Sequence, residues 1–182
     1  MKYFSYFLQY IFIRLALIIL KILPLNIAKK ILSLIFRLFG KLTSAHKTAI
    51  NNCKFVFPNF SRIRVNSIID NSWNNIGETI CELLRLDEII DNKKILMKGL
   101  DNIENLRNNN FQAIFISIHQ SNWEILVPML DRLGLKIGGI YRHINNFFLD
   151  KFVLSLRQNS LKSSLNFYTP KGKKSAKDLV DA

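Results

Sequence analysis

An α/β chain is predicted, with basic apolar helices at the N-terminus leading into a domain built around a buried strand. Three observations predict it. Residues 113–118 (Ala-Ile-Phe-Ile-Ser-Ile) form a nearly continuous run of β-branched and aromatic residues, the pattern of a strand covered on both faces. Residues 66–90 repeat apolar side chains at steps of three and four, as an amphipathic helix does. The first third of the chain is both its most apolar and its most basic part.

The chain has 182 residues with 49% hydrophobic content, enough for one domain with its own core. That apolar content excludes a disordered basic tail. Two cysteines, Cys53 and Cys81, cannot build a disulfide framework, and no paired zinc ligands accompany them.

The charge is unevenly placed. No Asp or Glu precedes Asp70, and residues 1–69 carry eleven Lys and Arg; removing these from the net +13 leaves +2 for the remainder. Basic and apolar character in one segment suits an anionic membrane surface. Nucleic acid would accept the charge but gives no reason for runs such as Ile11-Phe12-Ile13.

Element by element, residues 3–20 are apolar apart from Ser5, Gln9 and Arg14. The stretch approaches the length of a spanning helix, yet Arg14 falls near its middle, where charge is costly. Residues 22–40 come next, with Pro24, Lys29, Lys30 and Arg37. Both runs suit helices lying in the membrane interface. No small-residue cleavage site comes after Leu20, which argues against a signal peptide. The basic residues after Leu20 predict a cytoplasmic location for the rest of the chain.

Residues 51–64, with Phe55, Phe57 and Phe60 around Pro58, read as a loop. Residues 66–90 read as one helix whose buried stripe is Ile69, Trp73, Ile76, Ile80, Leu83 and Leu84, with Trp73 and Cys81 in its core and Glu78 and Glu82 on its solvated side. Residues 91–110 supply a linker and a short helix around 103–107, stopped by Asn108-Asn109-Asn110.

The strand at 113–118 ends at His119, with Gln120-Ser121-Asn122-Trp123-Glu124 and a helical stretch over 125–133 after it. The carboxyl end of a strand in an open α/β sheet is where ligand crevices form. His119 and Glu124 are spaced H-x-x-x-x-E. Across a tight turn the carboxylate can hold one imidazole nitrogen while the other faces a substrate hydroxyl, an orienter and base suited to acyl transfer. The same residues also fit a capping box, Ser121-x-x-Glu124. Both readings stay open on the pattern alone. His46 and His143 have no acid five residues on and read as surface or satisfied residues.

Ile118-His119-Gln120-Ser121-Asn122-Trp123-Glu124 resembles the H-x-x-N-W-E form of the motif in the lipid A biosynthesis acyltransferases, part of the lysophospholipid acyltransferase superfamily. The likeness extends through Phe57-Pro58, the tryptophan-containing stretch 72–77, and a second block from Tyr141-Arg142 through Asn146, Leu149 and Asp150 to Arg157. It implies an anchor over 1–42 and the N-terminal part of a glycerol-phosphate-acyltransferase-like α/β domain over 43–182. It implies transfer of a fatty acyl group from an acyl carrier protein or CoA thioester to a hydroxyl of a lipid A precursor, on the cytoplasmic face of a bacterial inner membrane. His119 is then the general base and Glu124 its orienter. Arg142 is the residue for phosphate or developing negative charge, while Asn122 and Arg157 fall in the substrate-binding set. No cofactor, metal or nucleic acid is implied; membrane lipids are.

The family's later blocks are not found before Ala182, so the resemblance also implies a C-terminally truncated form, either a minimal catalyst or an inactive membrane-associated remnant. A glycerophosphate or lysophospholipid acyltransferase is the nearest enzymatic rival, and the N-W-E context argues against it.

Overall fold

The computed structural model describes residues 2–91, 95–109 and 111–181, apart from the side chains of Lys173 and Lys174. Among them the secondary structure is mostly helical, with one two-stranded parallel sheet. The chain divides into two compact units. A helical unit holds residues 19–84 and 120–122, and a strand-bearing unit holds residues 1–18, 85–119 and 123–182.

In the helical unit, α2 (Leu25–Gly40) and α4 (Arg62–Leu83) form the main pair, and α3 (Ser44–Val56) completes it. Pro24 precedes α2 with φ −52°. Its ring presets the backbone for a first turn whose N–H groups have no helical partner anyway. Contacts along α2 run backwards along α4: Lys29 meets Glu82 and Glu78, Ser33 meets Asn74, Arg37 meets Asp70. The two helices are therefore antiparallel.

This pairing accounts for part of the charge asymmetry of the sequence, since Lys29 and Arg37 of α2 find their acids on α4. It also corrects the placement of Glu78 and Glu82 on a solvated side. Lys29 lies 3.0 Å from Glu78 and 2.5 Å from Glu82. The lysine resists its own burial only because the two carboxylates hold its pKa above the ordinary value.

Small residues let the axes approach. A Cβ on Gly77 would stand 2.6 Å from the Ser33 Cα, closer than packed atoms tolerate. Gly77→Ala is expected to push α2 off α4 and lower stability by about 1–3 kcal/mol, read as a lower thermal midpoint.

The stretch 51–64, expected as a loop, is helical through Val56, and α4 starts at Arg62. Cys53, Val65 and Ile69 form a buried cluster, with Ala49, Ile50, Phe60, Ile68 and Trp73 packed on it. That burial outweighs the weak helix propensity of Asn51 and Asn52. Cys81 is buried in α4 as expected. The single helix expected over 66–90 is broken: α4 ends at Leu83 and α5 (Leu86–Asp91) begins after Leu84-Arg85. The chain passes there from one unit to the other, and Leu86 and Ile90 are buried in the second.

The strand-bearing unit opens with α1 (Lys2–Ile22), whose residues through Ile18 belong to it. Among the described residues α1 is the one helix long and apolar enough to cross a membrane. After α5 come α6 (Leu100–Asn108), a 3-10 turn at Trp123–Ile125 and α7 (Leu126–Arg132). The short helix expected around 103–107 is α6; Asn110, like Asn92, Lys93 and Lys94, lies outside the described residues.

A β-α-β segment comes next: β1 (Gly138–Tyr141), α8 (Phe147–Asn159) and β2 (Phe167–Pro170), with Gly138 opposite Phe167 and Tyr141 opposite Pro170. A helical crossover is the ordinary way to join parallel strands. α9 (Lys173–Val180) ends the unit.

The buried strand expected at 113–118 is not formed. Ile114 and Ile116 are 91% and 90% exposed, and no described segment pairs with the stretch. A central parallel strand needs a neighbour to take up its main-chain groups, and β1 and β2 here pair with each other.

A polar node ties α7 to β2. The Asp131 side chain is fully buried and accepts from the backbone of Lys162 (2.7 Å) and Ser163 (3.0 Å) and from Asn166 Nδ2 (2.7 Å). Asn166 in turn accepts from the Ile137 backbone just before β1. Burial pushes the Asp131 carboxyl up, but those donors outweigh it and hold it below its ordinary value. A depressed carboxyl contributes stability above the unfolded pKa, near 3.9, that is lost as pH falls further. Urea midpoints are expected to hold down to about pH 5 and to drop below about pH 4. Asp131→Asn should make that drop shallower, while Asp70, Glu78 and Asp91, also depressed, sustain the rest.

Candidate active site

The residues from His119 to Glu124 fall in both units. In the strand-bearing unit, Glu124 sits in the 3-10 turn and is buried. Its carboxylate takes a bidentate pair from Arg157 of α8: Nε to Oε2 at 2.7 Å and Nη2 to Oε1 at 2.6 Å. Trp123 Nε1 adds a third donor at 3.1 Å. Two parallel charge-assisted bonds in a dry setting make this one of the stronger contacts in the unit. Burial pulls the Arg157 pKa down, but Glu124 outweighs it and leaves the guanidinium above its ordinary value.

Two tyrosines stand beside the pair. Arg157 lies 5.6 Å from the ring of Tyr141, the last residue of β1. Burial, and then the charge of Glu124, push the Tyr168 phenol of β2 well above its ordinary value. β1, β2, α8 and the turn thus converge on Glu124, and Tyr141 and Tyr168 are members that spacing did not reveal. The position capping α7 is Ile125, with no side-chain cap, and the Glu124 carboxylate is engaged by Arg157 and Trp123.

His119 ends the exposed stretch 113–118 rather than a buried strand. Its ring packs on Trp123 at 4.8 Å between centroids. No hydrogen bond joins it to Glu124 among the described residues; the indole of Trp123 touches both, facing the imidazole and donating to the carboxylate.

Arg142 comes directly after β1 and is exposed. Beside it His143 Nδ1 lies 2.6 Å from Asp150 Oδ2, and Asp150 Oδ1 accepts from the Ile144 backbone at 2.8 Å. His143 is thus satisfied, by an acid seven residues on. His46 is satisfied too, accepting from Trp73 Nε1 at 3.1 Å.

In the helical unit, Asn122 donates to Glu82 at 2.7 Å. Ser121 has φ +53°, a left-handed conformation costly for a residue with a Cβ. Its carbonyl accepts from Asn75 and Thr79 of α4, each at 3.2 Å. The turn is strained and doubly tied, as turns beside functional groups often are.

The model of the family described as bacterial lipid A biosynthesis acyltransferase matches residues 1–168. The chain belongs to that family. It is an acyltransferase of the lipid A type, acting with a lipid A precursor and an acyl donor. Neither a curated protein nor a solved structure matches it. Of the acyltransferase's five site residues expected from sequence, the structure brings Glu124 and Arg157 together, sets His119 one tryptophan away, leaves Arg142 exposed, and gives Asn122 to Glu82. The Glu124–Arg157 pair spans 33 residues, beyond the reach of any local pattern.

Proposed function

We propose that this acyltransferase moves a fatty acyl group from an acyl carrier protein or CoA thioester to a hydroxyl of a lipid A precursor, bound to the cytoplasmic face of a bacterial inner membrane. The family match over residues 1–168 carries the reading. In this reading residues 1–42 anchor the chain and residues 43–182 supply the site. The apolar surface of α1, with Tyr3, Phe4 and Phe12 all more than two-thirds exposed, supports the membrane contact.

His119 is the base. Its free imidazole nitrogen takes the proton of the acceptor hydroxyl as that oxygen attacks the thioester carbonyl. The new C–O bond forms, the C–S bond breaks, and the thiolate leaves with the proton returned from the imidazolium. Glu124 is the orienter, stabilising the charged imidazole. The five-residue spacing supports this, as does their shared neighbour Trp123; catalytic hydrogen bonds are often long before substrate arrives and tighten in the complex. Arg142 meets the phosphate of the acceptor or the developing oxyanion, for which its fork of donors is suited. Arg157 contributes by holding Glu124, and Asn122 belongs to the substrate-binding set.

The test is transfer by membranes containing the full chain, from a labelled acyl-carrier thioester to a lipid A precursor. Labelled product above that of membranes without the chain is the expected result. Its absence, with the folded protein present in the membrane, overturns the reading in favour of an inactive relative.

A further inference from the structure

Two of the three polar residues that interrupt α1, Gln9 and Arg14, stand on the same side of the helix as Tyr6, Phe7 and Tyr10, and that face lies on α8. Phe7 and Tyr10 pack on Phe148 at 5.5 and 5.9 Å, and the Arg14 guanidinium sits 4.3 Å from the centre of the Phe152 ring.

Asn146 lies at the head of this seam and is 5% exposed. Its Oδ1 caps α8, accepting from the backbones of Phe148 (3.1 Å) and Leu149 (3.4 Å). Its Nδ2 donates in the other direction, to the Tyr6 carbonyl at 2.9 Å and to Gln9 Oε1 at 3.3 Å, both within α1. Four residues on, Asp150 grips His143 and the Ile144 backbone. The loop 142–145 is therefore held from both sides, by Asp150 to α8 and by Asn146 to α1.

We infer that Asn146 is a positioning residue that registers the exposed Arg142-His143 loop against α1, so that the helix meeting the membrane sets where those two side chains stand. The consequence for turnover rests on the proposed acyl transfer; the structural coupling does not. A lipid-borne acceptor has its headgroup at a fixed depth, and a loop tied to the embedded helix meets that depth without a search.

The two halves of the Asn146 side chain can be separated. Asn146→Asp keeps the cap, since Asp serves as well as Asn there, but turns a carboxylate oxygen toward the Tyr6 carbonyl. Gln9→Lys in that background returns a donor from α1. A nitroxide on a cysteine replacing Ile144 reports loop motion in the full chain bound to vesicles of phosphatidylethanolamine and phosphatidylglycerol. Native Cys53 and Cys81 are buried and compete little for the label.

Asn146→Asp is expected to leave helix content unchanged and to sharpen the nitroxide lines, and Gln9→Lys/Asn146→Asp to broaden them again. In transfer assays Asn146→Asp should raise KM for vesicle-borne acceptor roughly tenfold at similar kcat, with the same rescue. Unchanged lines in Asn146→Asp overturn the latch. Sharpened lines that Gln9→Lys does not reverse also overturn it, because Asn146 then acts within α8 alone. Should the parent chain transfer no acyl group, the acyl-transfer reading fails while the nitroxide comparison still decides the latch.

Discussion

His119→Ala is expected to lower acyl-transfer turnover by about 10²–10⁴-fold, the range a positioned general base supplies, with KM for both substrates little changed. The control is His143→Ala. His143 is the histidine with a carboxylate already in hand, 2.6 Å from Asp150, and by geometry alone it is the better-formed pair. If His143→Ala removes turnover and His119→Ala spares it, the base is His143 and the H-x-x-x-x-E spacing misleads. The pH profile of turnover adds a second discriminator: the parent's acid limb reflects the base, and the variant that removes the base abolishes that limb.

Arg157→Ala should be the most damaging single change to the fold. Glu124 and Arg157 side chains are 8% and 16% exposed, so the variant strands a carboxylate in a dry site. Losing one member of such a pair costs about 3–5 kcal/mol. Arg157→Lys keeps the charge but loses the fork and falls between. Removing both charges together, as Glu124→Gln/Arg157→Met, is expected to recover most of the loss. Urea melts of the four proteins measure this; a double variant no more stable than Arg157→Ala would show that α8 depends on Arg157 by some route other than Glu124. The pair also warns against reading Glu124 variants as purely catalytic, since they disturb packing and chemistry at once.

What the sequence made legible was local. The two N-terminal helices, the burial of Ile69 and Cys81, α6, and the turn before α7 each stem from periodicity or from a residue with a strong backbone preference. The break between α1 and α2, however, falls at Leu23-Pro24 and not at residue 21, where the two apolar runs divide. What it concealed was set by partners far along the chain. Glu78 and Glu82 look solvated until Lys29 is placed against them, 49 and 53 residues away by number. Asn51 and Asn52 look like loop until Cys53 is seen packed on Val65. The run 113–118 has every local mark of a buried strand, but a strand is made by its neighbours, and none of the described strands pairs with it. Within the candidate site, the spacing of His119 and Glu124 was legible, whereas the guanidinium that occupies Glu124 was not.

The exposed run at 113–118 bears on how the chain survives in a cell. It is apolar, rich in isoleucine, and carries no charge among its six residues, with Ile114, Ile116 and Ile118 all at least two-thirds exposed. Unpaired main chain with such side chains is a template for strand addition between copies, and also what holding chaperones and quality-control proteases recognise. Covering the stretch is therefore expected to lengthen the life of the chain, and Ile116→Lys to slow both self-association and proteolysis in limited-digestion assays. Its position immediately ahead of His119 means that a single cut there would part the proposed base from everything upstream of it.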